Sequence, residues 1–312
     1  MAYNPIYPVY VISKGRADSR LTVKSLERLG VPYRIVIEKS EYKDYSAVID
    51  PQNILTLPEG FREDPLYAVP DHNGKVGGSI PVRNWVMEHS IAEGHKRHWI
   101  LDDNIRHFYR INRNLKTRVT NGTTFRLCEM FSDRYTNVGL SGMNYQFFVP
   151  KDHPKPPYHT NTRIYSCILV NNDIGFRWRG IYNEDTDLSL RVLKDNWCTI
   201  LFNAFLCGKS ATLTMGGGNT IDVYKHGQEE FDNRYAFAKS LYDQHPDCVK
   251  ITKKWGRYHH HVDYPKFQKT KLIYRDDFVM PDDYDEHGMV LGRYTSKEAR
   301  DADEGENNVD DE

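Results

Sequence analysis

Over its first hundred residues the chain alternates short apolar runs with stretches of helical spacing, and this alternation restricts the fold more than any other feature. Tyr7-Pro-Val-Tyr-Val-Ile-Ser13 reads as a buried strand. Ser19 to Leu29 turns Leu21, Leu26 and Leu29 toward one helical face, and Gly30 ends it. Tyr33 to Glu38 is a second strand, and Asn53 to Leu57 a third, stopped by Pro58. Gly77-Gly78-Ser79 opens a helix that runs to about Glu93, with Pro81 in its first turn, where a missing N–H costs nothing. His98 to Leu101 is the next strand. Such alternation predicts an α/β fold built on a mainly parallel, Rossmann-like sheet flanked by helices.

Further along, helices are expected over Thr123 to Thr136, Asn183 to Asp195 and Glu229 to Leu241, and strands over Arg163 to Val170 and Trp197 to Phe205. Leu188, Leu190 and Leu193 form the apolar set of the middle helix. Pro150 to Pro157 is a loop without helix potential, and Gly216 to Asn219 a mobile one. No internal repeat is present. The expected organisation is one domain over residues 1–280: a nucleotide-binding half to about 105, then an appended region over about 106–280.

Charge divides the chain unevenly. Residues 281–312 hold 12 acidic and 3 basic side chains, which leaves 31 acidic and 39 basic in residues 1–280, a net of −9 against +8. The tail is expected to be disordered. The basic body suits a polyanionic partner. No apolar run approaches the length of a membrane span, and the opening Met-Ala-Tyr-Asn-Pro lacks the pattern of a signal peptide. Cys128, Cys167, Cys198, Cys207 and Cys248 form no Cys-x-x-Cys pair. A cytoplasmic protein with no membrane partner is therefore expected.

Four constellations carry chemistry. Trp99-Ile-Leu-Asp-Asp-Asn-Ile105 is an apolar strand ending in two carboxylates and an amide. In open α/β sheets ligands bind beyond the carboxyl ends of the strands, and hard oxygen ligands suit Mg²⁺ or Mn²⁺. Tyr182-Asn-Glu-Asp-Thr-Asp-Leu188 puts Glu184 and Asp185 in the first turn of a helix, where the macrodipole favours carboxylates and one of them would serve as a general base. In Trp255-Gly-Arg-Tyr-His-His-His-Val-Asp-Tyr264, an extended chain places His259 and His261 on one face and His260 on the other; any of these would complete a metal's coordination, with His226 a further candidate. Ser13-Lys14-Gly15-Arg16, ending the first strand, offers a diphosphate two cations and a close backbone approach. Arg83 and Asn84 lie in an anion-friendly first turn, and Glu38 ends the second strand, where it would meet a base or ribose.

Taken together, Ser13-Lys-Gly-Arg16, Ile80-Pro-Val-Arg-Asn84, Trp99-Ile-Leu-Asp-Asp-Asn104, Asn183-Glu-Asp-Thr-Asp-Leu188 and His259-His-His-Val-Asp-Tyr264 resemble the TET-associated glycosyltransferases, a GT-A-fold family of tailed phages with a related domain in an animal oestrogen-response protein. The resemblance spans about residues 7–270. It implies transfer of a sugar from a UDP-sugar to 5-hydroxymethylcytosine, or a related hydroxymethylated base, in phage DNA, with inversion. It implies a divalent cation on Asp103, with Asp102, Ser13, Lys14, Arg16, Glu38, Arg83 and Asn84 around the donor, and Asp185 or Glu184 as base. The acceptor base would leave its stack. Arg106 to Arg118 and Lys250 to Arg257 would follow phosphates, with Phe108, Tyr109 and Trp255 as stacking surfaces. A protein or glycan acceptor, a nucleotide-sugar-binding protein without turnover and a metal nuclease are the alternatives.

Overall fold

The computed structural model of the protein describes residues 4–112, 115–150, 156–210 and 234–279. The acidic tail, the Gly216 to Asn219 loop and His226 lie outside them.

One ten-stranded sheet organises the molecule. Its strands are β1 (Val9–Ile12), β2 (Arg34–Ile37), β3 (Ile54–Thr56), β4 (Arg97–Asp102), β5 (Ile105–Asn112), β6 (Leu115–Arg118), β7 (Val138–Tyr145), β8 (Tyr158–Thr160), β9 (Cys167–Asn171) and β10 (Cys198–Lys209). The order is β3-β2-β1-β4-β9-β7-β10-β5-β6, with β8 also pairing β10. The first four strands are parallel, as the strand–helix alternation requires. β9 runs antiparallel to β4 and β7, while β7 and β10 are parallel, so the sheet is mixed beyond β4.

Helices cover both faces. Along β1, Val9 and Val11 point into one core with α1 (Leu21–Arg28) and α4 (Thr123–Ser132), while Tyr10 and Ile12 point into the other with α3 (Ile80–Ala92) and α5 (Glu184–Lys194). β4 follows the same period of two. Trp99 and Leu101 join the first core and Ile100 the second. The next residue in that alternation, Asp102, therefore emerges on the α3/α5 side, and Asp103 on the α1 side.

A short α2 (Tyr42–Ser46) follows β2. A two-stranded hairpin, β11 (Val249–Lys254) and β12 (Arg257–Val262), packs with α6 (Arg234–Gln244) against the outer side of α5. The apolar set of α5 is thus split. Leu188 faces the sheet, whereas Leu190 and Leu193 face the hairpin.

Two strand bounds need correction, and β7 falls where no strand was expected. The run Arg163 to Val170 is strand only from Cys167, because Ser166 adopts a positive φ of 61°. β10 continues four residues past Phe205. β7 carries two glycines, and they disguise a strand buried at seven of its eight residues. A Cβ on Gly142 would stand 2.3 Å from the Cys167 carbonyl oxygen, and one on Gly139 would stand 2.7 Å from Val192 Cγ1. These glycines let β9 and α5 approach closely enough to bring the start of α5 to the end of β4.

All five cysteines are buried and unpaired. Among the described residues no helix is long and apolar enough to cross a membrane.

Candidate active site

At the carboxyl ends of β1 and β4, charged side chains from five segments converge. Asp103 is buried, and its two oxygens are both engaged: Oδ2 accepts from Ser13 Oγ at 2.8 Å, and Oδ1 pairs with the Arg16 guanidinium. Burial pushes its carboxyl up, and Arg16 with Ser13 only partly offsets this. Asp102 is the more open of the two. Its Oδ1 meets Arg83 at 3.1 Å, and its Oδ2 accepts from Ser166 Oγ and Lys209 Nζ, each at 2.7 Å. Burial would raise Asp102, but Lys209 and Arg83 hold it down to about 2.

Arg83 joins the two carboxylate motifs. It rises from α3, nearly inaccessible, and reaches Asp102, Asp185 at 3.5 Å and Glu184 at 3.7 Å. The helix α5 begins after Asn183, which takes a left-handed φ of 54°, a conformation Asn tolerates better than most residues. That turn directs Glu184 and Asp185 back toward β4. Asp185 is raised to about 6: burial raises it, Arg83 opposes, and Glu184 and Asp102 add repulsion. Its Oδ1 is buried and makes no hydrogen bond. Glu184 accepts from Ser79 Oγ at 3.2 Å. Asp187, two residues on, belongs elsewhere. It is held by Arg179, Arg191 and His245 and kept well below the carboxylate range, burial being outweighed by those partners.

The structure thus gathers Ser13, Arg16, Arg83, Asp102, Asp103, Glu184 and Asp185. Lys14 and Glu38 pair with each other at 3.4 Å on the adjoining rim, where Glu38 also meets Arg62. The Gly15 N–H is bonded to the Glu41 carboxylate, so this loop's amide already has an acceptor within the protein.

Four groups of expected site residues are placed as follows. Asn84 is fully buried, and both its amide hydrogens go to carbonyls, of Tyr67 at 2.8 Å and Trp178 at 2.9 Å, while its oxygen accepts from Trp178 N. It ties loops together and cannot reach a donor. Phe108 is buried against Phe125, with ring centroids 4.9 Å apart, so it offers no stacking surface. His259, His260 and His261 do lie on an extended strand, but β12 belongs to the separate hairpin. Burial holds His260 down at about 4, and the charges of Arg163 and its two histidine neighbours act in the same direction. The oxygens of both strand-end carboxylates are engaged, those of Asp103 by Ser13 and Arg16 and those of Asp102 by Arg83, Ser166 and Lys209, and Asp102 is the more exposed of the two.

Asp102, a carboxylate at a strand end, fits a hard divalent cation, which takes one or two carboxylates plus substrate phosphates and water. Among the described residues, the three-ligand group drawn within 4.8 Å is instead His245, Asp247 and Cys248. Lys194 Nζ already sits there, 3.0 Å from His245 Nδ1 and 2.6 Å from Asp247, and His245 Nε2 is committed to Asp187. Both ring nitrogens of His245 are thus taken, so the group reads as an ion-pair network.

Sequence reasoning missed Lys209, Ser166 and Tyr145. Lys209 carries the same signature as Asp102, a polar residue ending an apolar strand. Ser166 was hidden inside an apolar run.

A family model described as TET-Associated Glycosyltransferase matches residues 7–218, and the chain belongs to that family. No curated protein matches it. The chain is therefore a glycosyltransferase.

Proposed function

We propose that this member of the TET-associated glycosyltransferases moves the sugar of a UDP-sugar onto the hydroxymethyl group of 5-hydroxymethylcytosine, or a related hydroxymethylated base, in phage DNA, in the host-cell cytoplasm. The observation that carries the reading is Asp185: a buried carboxylate raised to about 6, with one oxygen free of hydrogen bonds, beside the strand-end carboxylate Asp102. A general base works best when its pKa lies near the operating pH. Asp185 takes the hydroxymethyl proton as the oxygen attacks the anomeric carbon, giving inversion. Arg83 keeps Asp185 anionic between turnovers and fixes its angle to Asp102. Asp102 is the residue that would hold Mn²⁺ or Mg²⁺, with Asp103 supporting it through Ser13 and Arg16. Such an ion supplies charge neutralisation to the departing diphosphate. Lys14 and Glu38 border the donor. We assign residues 1–105 to the donor half of a single GT-A-like domain and 106–280 to the acceptor half.

The DNA acceptor is supported by the β11–β12 hairpin. Its tip carries exposed Lys253, Lys254 and Arg257 around Trp255, which is 90% exposed. Trp255 and Gly256 both have positive φ, 49° and 75°, as a two-residue hairpin turn demands. A Trp held in a strained turn and offered to solvent amid cations suits stacking on a base next to phosphates. Neutralising Lys253, Lys254 and Arg257 to Gln should lower the salt slope of DNA binding by about 3. Trp255→Ala should weaken binding by about 1–3 kcal/mol. Neither change touches the core, so fluorescence anisotropy across a salt series measures contact alone. An unchanged slope would place DNA elsewhere.

The reading is tested by mass spectrometry of nucleosides from hydroxymethylcytosine DNA incubated with a panel of UDP-sugars and Mn²⁺. A nucleoside heavier by one sugar is expected. UDP binding without product from any donor would mean binding without turnover. Sugar appearing on protein or glycan would replace the acceptor, and DNA cleavage without donor would replace the reaction.

A further inference from the structure

The Lys209 ammonium is seated among three oxygens: Asp102 Oδ2 at 2.7 Å, Ser166 Oγ at 2.9 Å and Tyr145 Oη at 3.4 Å. Each of the three comes from a different strand end or strand-flanking residue, of β4, β9 and β7, and Lys209 itself ends β10. The seat is built. The register of β10 against β5 shifts between Gly208 and Lys209, and bulges of this kind re-aim a side chain beside a site. Gly208 permits it, since a Cβ there would stand 2.8 Å from the Tyr109 ring. Tyr145 is paired with Cys207 across β7 and β10, which fixes its hydroxyl next to Ser166. The Lys209 side chain is only 16% exposed. Burial works against its charge, and Asp102 outweighs burial, so the group remains an ammonium.

A carboxylate, a hydroxyl and a phenol oxygen are hard donors, and together they describe a seat for a cation facing the open strand ends. Here the cation is covalently attached to the protein. We infer that Lys209 and a divalent ion compete for one seat at Asp102, Ser166 and Tyr145. The proposal rests on the reading above, in which that seat faces a nucleoside diphosphate. With the ion present, the displaced ammonium stays tethered within a side chain's length of Asp102. Without it, Lys209 is the cation that meets the diphosphate.

The test is Mn²⁺ binding to the full, nucleotide-free protein, read by electron paramagnetic resonance. Lys209→Met should bind Mn²⁺ at least about tenfold more tightly than wild type, because a close charge competitor has gone. Lys209→Arg, which keeps the charge, should stay weak, and adding Asp102→Asn to Lys209→Met should abolish the gain. Equal Mn²⁺ affinity in wild type and Lys209→Met, or a gain that survives Asp102→Asn, overturns the proposal. Should Lys209→Met not fold, Lys209→Gln gives the same comparison, with Arg83 and Ser166 still holding Asp102. Calorimetry with UDP separates the two levels: wild-type protein that binds no UDP with or without Mn²⁺ removes the donor reading, while the nucleotide-free Mn²⁺ comparison stands apart from it.

Discussion

Asp185→Asn should slow sugar transfer by about 10²–10⁴-fold while leaving donor affinity nearly unchanged, and it should make the protein more stable. The two effects have one origin. The ordinary carboxyl value is 3.8, and burial with the neighbouring Glu184 and Asp102 raises Asp185 to about 6 against the pull of Arg83. At neutral pH the folded state therefore carries a carboxylate it would be better without, by up to about 3 kcal/mol. A group raised on folding contributes stability below its unfolded value and loses it as pH climbs through the folded one. The advantage of Asn should thus be absent near pH 4, grow to about pH 6 and remain flat above. Thermal melts at pH 4, 6 and 8 measure it, and wild-type kcat/KM should fall on the acid side with a midpoint near 6. A variant that is slow but no more stable at pH 8 would show that Asp185 is not strained, and one with normal turnover would pass the base role to Glu184.

Arg83→Met has the opposite sign. The guanidinium is the shared counter-ion of Asp102, Asp185 and Glu184, and it is nearly inaccessible to water. Removing one partner of a buried pair costs about 3–5 kcal/mol, because the other charge is left without compensation. For a chain of this size that is a fall in Tm of about 10 °C. Lys209 remains on Asp102, so the uncompensated charge falls chiefly on Asp185. Asp185 would then titrate above its wild-type value, and acidification toward pH 5 would protonate it. The deficit should be smallest at pH 5 and larger at pH 7, and it should go on growing above that. Differential scanning at the two pH values checks this. A deficit that ignores pH would attribute the loss to packing against Trp178, whose ring lies 5.7 Å from the guanidinium.

The architecture of the first hundred residues was legible because its signals are local. β1, β2 and β4 are apolar runs with polar ends, and Ser79, Pro81 and the acidic first turn of α5 mark helix starts within a few residues of where they occur. Asp102, Asp103, Glu184 and Asp185 stood out for the same reason. What stayed hidden depends on sheet order. Lys209 reaches Asp102 only because β9, β7 and β10 succeed β4 in space, and nothing in one-dimensional spacing fixes that sequence of neighbours. β7 was hidden by the glycines that make its tight packing possible. The place of the three histidines is likewise set by tertiary packing, that of the hairpin against α5, and not by their adjacency along the chain. Asn84 misled because a helix's first turn attracts anions only where its side chains face open space.

The five thiols have a practical corollary. Each is enclosed, and burial raises every one of them, Cys198 to about 11 and Cys207 to about 12, so little thiolate exists at neutral pH. Maleimides and disulfide exchange need thiolate and access together. The folded protein should therefore be nearly silent toward such reagents without any cysteine being removed. A single cysteine introduced at Lys254, on the exposed hairpin tip, would be its one fast-reacting sulfur. That position accepts a fluorophore to report nucleic acid arriving, or a cross-linker to trap it, on an otherwise native background.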